Sequence, residues 1–474
     1  MGDDWRHGVG LTAGRSLAGL PVLLGADWQA DPRRIDRNDD QLTDTPQLGR
    51  LGGQLSFGRT GHALAWNVSA SGLGERRFAG DTDWEDGDQG VVYGRDITTR
   101  RAEVRGSAEG LWESGAAWSL AGAWVRHHQD SWYGATAFDA TQRRWLAQAA
   151  LTLPGTTTTK LQAGWTDDLY EDGLGLPTDR HDRVPHLAAS RNGMTGPVSW
   201  ELGLRTEKQE DGWIPLARGS VAVAPTESTV LRLSAGQGYR PITLFSLDKA
   251  VHAGFDHVEL PEKLDPERTL SLNLGLQHQL VAEAGRWQGN LGLFAVEFRD
   301  KAILQWQEEA GHMAYGNAAR AYSRGVEARG DWQAWNGWRL AGGATWSRVM
   351  LELVDGWQPE ELAGSWTANA SVGRQGLLGL DALGAQLRWR GTGPQEMPEG
   401  RGRDKTPFWS VLDLGLDWRA WSWSLGLDVE NLLDYVQPDN PLVVDADQQG
   451  MLDSALIYGP LVGRRVRLRA AFSL

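Results

Sequence analysis

Leu412, Leu414, Leu416 and Trp418 alternate with Asp413, Gly415, Asp417 and Arg419. A period of two is that of a β-strand, whose side chains point to opposite faces in turn, so this segment has one apolar and one polar face. The next segment repeats the pattern, with Trp421, Trp423, Leu425, Leu427 and Val429 set against Ser422, Ser424, Gly426, Asp428 and Glu430. Leu270, Leu272, Leu274 and Leu276 stand likewise against Ser271, Asn273, Gly275 and Gln277, and Ala385, Leu387 and Trp389 against Gln386, Arg388 and Arg390. A chain written this way has to fold as sheet.

A soluble β-sandwich also alternates, and three features favour a membrane barrel instead. Many segments run roughly 10 to 18 residues, beyond the usual globular strand of about 5–6 and enough for the ~9–11 that cross a bilayer. Tryptophan, of which the chain has 25, gathers near segment ends, as at Trp332, Trp335, Trp338, Trp418, Trp421 and Trp423. An aromatic girdle would lie there. The polar faces are rich in charge and glycine, which suits a wet or plugged lumen and not a dry sandwich core.

No run of 18 or more apolar residues exists, so no membrane-spanning helix is expected. Negative mean hydropathy does not exclude a membrane, because a barrel shows lipid only every second residue. The absence of Cys removes disulfide frameworks and thiolate metal sites together. The net charge of −14, with Lys and Arg interspersed among Asp and Glu, argues against nucleic acid as partner. Met1-Gly2-Asp3-Asp4-Trp5-Arg6 lacks the charged start and apolar core of a signal peptide. An exported protein needs one, so the expectation is a signal removed or a true start lying upstream.

Short Gly- or Pro-marked turns fall near residues 16–21, 58–62, 112–117, 153–160, 193–197, 224–230, 280–287, 332–338, 373–383 and 418–423. Between them lie mostly longer polar loops, including 35–47, 77–96, 131–140, 171–182, 239–267, 300–311, 353–360, 391–408 and 436–460, with a short one at 208–213. Short turns on one side and long loops on the other is the outer-membrane arrangement. The fold class read from this is all-β: a transmembrane, antiparallel, up-and-down β-barrel of about 21 strands, covering residues 1–474 as one domain. The last strand carries Val466, Leu468, Ala470, Phe472 and Leu474 on one face.

From about residue 91 onward, ordered motifs carry a family resemblance. They are Tyr239-Arg240-Pro241-Ile242-Thr243-Leu244-Phe245, Leu264-Asp265-Pro266-Glu267-Arg268, Tyr322-Ser323-Arg324-Gly325-Val326-Glu327, Val429-Glu430-Asn431-Leu432-Leu433-Asp434-Tyr435, and Tyr458-Gly459-Pro460 followed by Gly463-Arg464-Arg465. In this order and spacing the chain resembles the barrel of TonB-dependent outer-membrane receptors. A softer likeness, at Trp132-Tyr133-Gly134-Ala135-Thr136 and Gln142-Arg143, is to receptors of the vitamin-B12 type.

The resemblance implies a barrel of about 22 strands, preceded by a plug and a TonB box. Here the first strand, about 7–17, runs straight into a short turn, as the second strand of such a receptor would. Plug, TonB box and first strand are thus expected to be missing from this chain. A truncated reading frame is the favoured explanation over a separately encoded plug. The implied function is active uptake of a scarce, large nutrient (vitamin B12, a ferric siderophore or haem) in the outer membrane of a bacterium. Its partners would be membrane lipid, the small-molecule ligand, and TonB acting through the plug. The alternative is a plugless, porin-like passive pore.

No His-Glu-x-x-His, Gly-x-Ser-x-Gly or phosphate-cradling loop is present, so no enzyme is expected. No cofactor is required. Asp81, Asp83, Glu85, Asp86 and Asp88 crowd one loop and are either a Ca²⁺ site, which takes six to eight oxygens, or a solvated polar loop. Asp167, Asp168, Glu171 and Asp172 are a weaker group. His252 and His257 lie between the Arg-Pro and Pro-Glu-Arg motifs, where haem receptors of the family can place an iron ligand; the alternative is ordinary loop histidines, as it is for His127 and His128. Trp84, Trp132, Tyr133 and Phe138 sit in expected external loops, either to grip a ligand or to form an upper girdle. Inward Arg, Asp and Glu would form a charged lumen wall.

Overall fold

The computed structural model describes residues 7–36, 41, 43, 45–61, 63–89, 92–134, 136–172, 179–209, 212–242, 257–259, 264–306, 312–397, 403–438, 442–445, 448–452 and 457–472. The strands begin with β1 (His7–Leu17), β2 (Leu20–Asp31), β3 (Gln47–Arg59), β4 (Leu64–Gly80), β5 (Gly94–Leu111) and β6 (Ala117–Tyr133). Next come β7 (Thr136–Leu153), β8 (Thr157–Asp172), β9 (Arg180–Thr195), β10 (Val198–Gln209), β11 (Gly212–Thr226) and β12 (Thr229–Arg240). A three-residue strand, β13 (His257–Glu259), precedes β14 (Glu267–Ala282), β15 (Gly285–Trp306), β16 (His312–Ala334) and β17 (Trp338–Leu353). The short β18 (Gly356–Pro359) is followed by β19 (Trp366–Gln375), β20 (Leu383–Thr392), β21 (Trp409–Ala420) and β22 (Trp423–Glu430). Last are β23 (Leu442–Asp445), β24 (Gln448–Leu452) and β25 (Arg465–Phe472).

Twenty-three of these form one sheet, and β23 and β24 pair separately. Setting aside the short β13 and β18, 21 long strands remain, each antiparallel to its chain neighbours. The expected number and the ten short turns are both met. The turn from β1 to β2 needs a left-handed backbone, with Ala18 and Gly19 at φ 52° and 80°. Both β1 and β25 run from the loop end to the turn end, so they cannot pair antiparallel with each other. Among the described residues each has a partner on one side only.

Register turns the period of two into two surfaces. Leu233, Leu274, Leu293, Val326, Trp346 and Trp366 are direct partners across six strands and share one face. Two residues along, Leu231, Leu276 and Leu291 repeat it. These side chains are exposed: 45% for Leu274 and 54% for Trp346. Taking a Leu out of water is worth roughly 1.5–3 kcal/mol, so a sheet that displays rows of them is at home against hydrocarbon. The opposite face reads Arg232, Gly275, Gly292, Glu327, Thr345 and Thr367. Polar groups there meet water in the lumen.

The ordered motifs are fastenings at the loop end. Arg240 Nε donates to Glu267 Oε2 at 2.8 Å, joining the first motif to the second. Glu267, buried, also accepts from the Ala302 N–H at 3.1 Å. Gly325 of the third motif is packed under the Phe294 ring and the Trp346 carbonyl, where a Cβ would collide. In the fourth, Asn431 and Asp434 adopt positive φ, 52° and 60°. The Asn431 amide takes the Tyr435 N–H at 3.0 Å and donates to the Tyr435 carbonyl at 2.6 Å. Asp434 accepts from the Arg464 N–H at 2.6 Å, and Gln437 Oε1 accepts from Tyr458 N and Gly459 N at 3.1 and 2.9 Å. The fourth and fifth motifs thus clamp the two ends of the last external loop.

Asn431→Ala forfeits those bonds and leaves in the left-handed region a residue without the polar side chain that lets Asn adopt it, a loss of about 2 kcal/mol in total. Asn431→Gly keeps the backbone freedom and should lose less. Urea unfolding in micelles, followed by the many tryptophans, should rank wild type above N431G and N431G above N431A. Equal midpoints for all three would refute the clamp.

Candidate functional site

The inner face of β5 to β9, from mid-strand up to the loop end, carries a network of polar side chains with aromatic support. Glu103 points inward from β5 and is 8% exposed. Arg101 Nη2 donates to it at 2.9 Å and Arg105 Nε bonds its other oxygen. Inward placement follows from the alternation of Arg101, Glu103 and Arg105 with the outward Ala102 and Val104. Three strands on, in the same row, Asp168 on β8 is 4% exposed. It accepts from Gln142 Nε2 at 2.9 and 3.0 Å and from Arg144, with Arg180 Nη2 at 3.9 Å. Arg180 also pairs with Asp182 at 3.2 Å and donates to the Ile242 carbonyl at 3.0 Å. Each of the two buried carboxylates is therefore shared by two guanidiniums, and Arg101, Arg105 and Arg144 remain 44–65% exposed.

Aromatic residues brace this wall from above. Tyr133, Phe138, Ala140 and Tyr170 form a buried cluster, with Ile97 packed against it. Gln129 Nε2 donates to Ser131 Oγ at 3.2 Å and to Tyr133 Oη at 3.1 Å, and Ser131 Oγ donates to the Phe138 carbonyl at 3.0 Å. Arg95 lies 6.0 Å over the Tyr133 ring and donates through Nε to Tyr93 Oη at 2.8 Å. Burial pushes the Tyr93 hydroxyl above the ordinary phenol range, against the lowering effect of Arg95. It therefore stays protonated at neutral pH while accepting from Arg95.

The aromatic candidates sit differently from the sequence reading. Residues 131–140 are not a long loop: β6 runs to Tyr133, β7 starts at Thr136, and Gly134 turns the chain at φ 60°. Tyr133 and Phe138 are buried in the wall, and Trp132, one residue on, occupies the other face and is half-buried. Trp84 is 3% exposed and stacks on Phe78 at 4.6 Å, with the Arg34 guanidinium 4.8 Å over the Phe78 ring. These aromatics hold loops to strand ends.

In the acidic loop, Asp81 accepts from the Asp83 N–H and Asp88 from the Glu85 N–H, both at 2.8 Å. Asp86 pairs with Arg76, which also holds Asp96. Among the described residues no group of three or more His, Asp or Glu converges as metal ligands. Asp167 and Asp168 are split by strand alternation: Asp168 joins the inner network, while Asp167 faces out to His181 at 2.9 Å and Arg183 at 3.3 Å. His252 lies outside the described residues. The His257 backbone opens β13, in parallel register with His312. His128 Nδ1 bonds Thr141 Oγ1 at 3.0 Å. The network's arginines, individually unremarked in the sequence, were signalled by a charge at every second position on one face, as in Arg101, Glu103 and Arg105.

The model of the family described as "TonB dependent receptor-like, beta-barrel" matches residues 3–432. No curated protein matches the chain in sequence. Among solved structures, the ferric enterobactin receptor PfeA of Pseudomonas aeruginosa in complex with enterobactin superimposes with a TM-score of 0.74 at 15% identity, over 98% of this chain and 78% of that one. The siderophore receptor PirA of Acinetobacter baumannii gives 0.75 at 13% identity, over 99% and 78%. The copper transporter OprC gives 0.72 at 14% identity, over 100% and 78%. At these identities the superpositions speak for the fold, whereas the family match spans most of the chain. This chain belongs to the TonB-dependent receptor β-barrel family, whose members are transporters of the outer membrane and not enzymes.

Proposed function

We propose that this chain forms the ligand-collecting mouth and conduit of an energy-coupled importer, and that its cargo is an anionic metal chelate of the ferric-siderophore class. The observation that carries this reading is the pairing of two guanidiniums with each buried carboxylate on the inner wall, Arg101 and Arg105 with Glu103, and Arg144 and Arg180 with Asp168. At Glu103 this leaves one guanidinium in surplus, at Asp168 the Arg180–Asp182 pair balances the charge, and the exposed Arg101, Arg105 and Arg144 turn donors toward the lumen. Guanidinium donors suit the oxygen-rich, negatively charged surface of such a chelate. The siderophore receptors among the structural neighbours agree with this class. Haem and corrinoids carry less dense negative charge and serve as competing cargoes in the test.

Trp84, Tyr133 and Phe138 would act indirectly, by keeping the wall and its loops in place, and Trp132, on the other face, as part of the upper girdle. The carboxylates of Asp81, Asp83, Asp86 and Asp88 serve the loop itself, and a Ca²⁺ ion there would have to displace the Arg76 pair and the two N–H bonds. Energy would arrive from TonB through a plug domain, which is not among these strands.

Uptake of radiolabelled iron, supplied as a ferric catecholate chelate, decides the matter in cells whose sole receptor of this kind is the full gene product. Uptake should saturate, and a protonophore should abolish it. Arg105→Gln with Arg144→Gln should weaken chelate binding about tenfold or more, since a hydrogen bond to a charged group is worth roughly 1.5–3 kcal/mol. Unsaturable, protonophore-insensitive flux would mean a passive pore. Binding of haem or a corrinoid in place of the chelate would overturn the cargo assignment.

A further inference from the structure

On the outer face, the strands β14 to β17 change character at the loop end. Above the apolar row of Leu274, Leu293, Val326 and Trp346 lies the row Leu272, Ala295, Arg324 and Arg348. Next comes Leu270, Glu297, Tyr322 and Met350, and above it Arg268, Arg299, Arg320 and Glu352. All belong to the face that carries Leu270, Leu272, Leu274 and Leu276, so the arginines project away from the lumen. Arg268, Arg299, Arg320, Arg324 and Arg348 are all exposed.

Their register is electrostatically unfavourable. Arg268 is the direct partner of Arg299, Arg299 of Arg320, and Arg324 of Arg348. Like charges directly opposite on adjacent strands repel. Glu297 relieves part of this by pairing with Arg320 at 3.5 Å and with Arg324. Arg268, Arg299 and Arg348 have no ion pair among the described residues. Two carboxylates, Glu297 and Glu352, face five guanidiniums. A sheet that holds three like-charged partner pairs on its outer surface is completed by an anion.

The location says which anion. The patch stands directly above leucines that contact hydrocarbon, at the end of the long loops, which is the external side of the membrane. A ligand there has acyl chains below and negative charge above. Tyr322, 4.4 Å beneath the Arg324 guanidinium, and Trp357, 5.1 Å from Tyr322, supply the aromatic interface between the two zones. We propose that Arg268, Arg299, Arg320, Arg324 and Arg348 bind the phosphate groups of a phosphorylated glycolipid of the outer leaflet, fixing this side of the barrel to its membrane. Guanidinium forks match phosphate oxygens bidentately, and clustered basic residues at a membrane surface recognise anionic head groups.

The test uses the full chain recovered from outer membranes in mild detergent. Its probes are diphosphoryl lipid A and the same lipid stripped of its phosphates, with binding followed by native mass spectrometry and by tryptophan fluorescence. The phosphorylated lipid should bind about tenfold or more tightly than the stripped one, a gap that R299Q/R324Q/R348Q should close. The lumen variant Arg388→Gln should leave it open. Equal binding of the two lipids by the wild-type protein would overturn the proposal, and this comparison stands even if the triple variant fails to assemble. A gap that persists in a folded triple variant would place the phosphate elsewhere and overturn it too. Complete displacement of the phosphorylated lipid by millimolar inorganic phosphate would reduce the patch to a free-anion site and overturn the lipid assignment.

Discussion

Backbone hydrogen bonding in a solvent that offers none governs this structure. Inside hydrocarbon every peptide N–H and C=O needs a partner from the chain itself, which leaves helices and barrels as the forms that cross. No helix of the described residues is long and apolar enough to cross. The answer here is 21 long strands, each hydrogen-bonded to its chain neighbours. With the backbone committed, side chains have two directions only, and the period of two sorts them into lipid and lumen.

Given those two surfaces, the loop end becomes the place where specific chemistry collects. Strands such as β15 and β16, of 22 and 23 residues, are about twice as long as a bilayer requires. Their upper parts rise beyond the hydrocarbon zone. Polarity therefore changes with height. Low on the sheet, leucines face out and charges face in; high on it, Arg268, Arg299 and Arg320 point out, while inside Tyr133, Phe138 and Tyr170 pack beside Asp168 and Arg180.

That change explains what was legible in the sequence and what was not. Within the bilayer zone the alternation of Leu270 to Gln277 or of Leu412 to Arg419 is unmistakable, and with it came the strand number, the turns and the two faces. The motifs were legible as a pattern, and the structure supplies their physics: Arg240 on Glu267, Gly325 beneath Phe294, Asn431 folding back on Tyr435. Above the bilayer zone the rule that marks strands stops applying. Trp132, Tyr133, Phe138 and their neighbours thus read as an external loop, although the strands run on through all but a tight turn. The acidic residues near Asp81 looked like ligands because sequence shows carboxylates but not the N–H groups and the Arg76 they serve. Asp168 was masked in the same way, since its arginines come from β7 and β9 and lie far off in sequence.

The assignment of faces is the claim on which the rest stands, and the absence of Cys makes it directly measurable. Single cysteines placed in turn at residues 269–277 of the full chain, spin-labelled in lipid vesicles, report their surroundings through collisions with oxygen, enriched in hydrocarbon, and with a water-soluble nickel chelate. The account predicts a strict period of two, with positions 270, 272, 274 and 276 favouring oxygen and positions 271, 273, 275 and 277 favouring nickel. Uniform access to the nickel chelate along β14, or the opposite phase, would contradict a membrane barrel with a polar lumen.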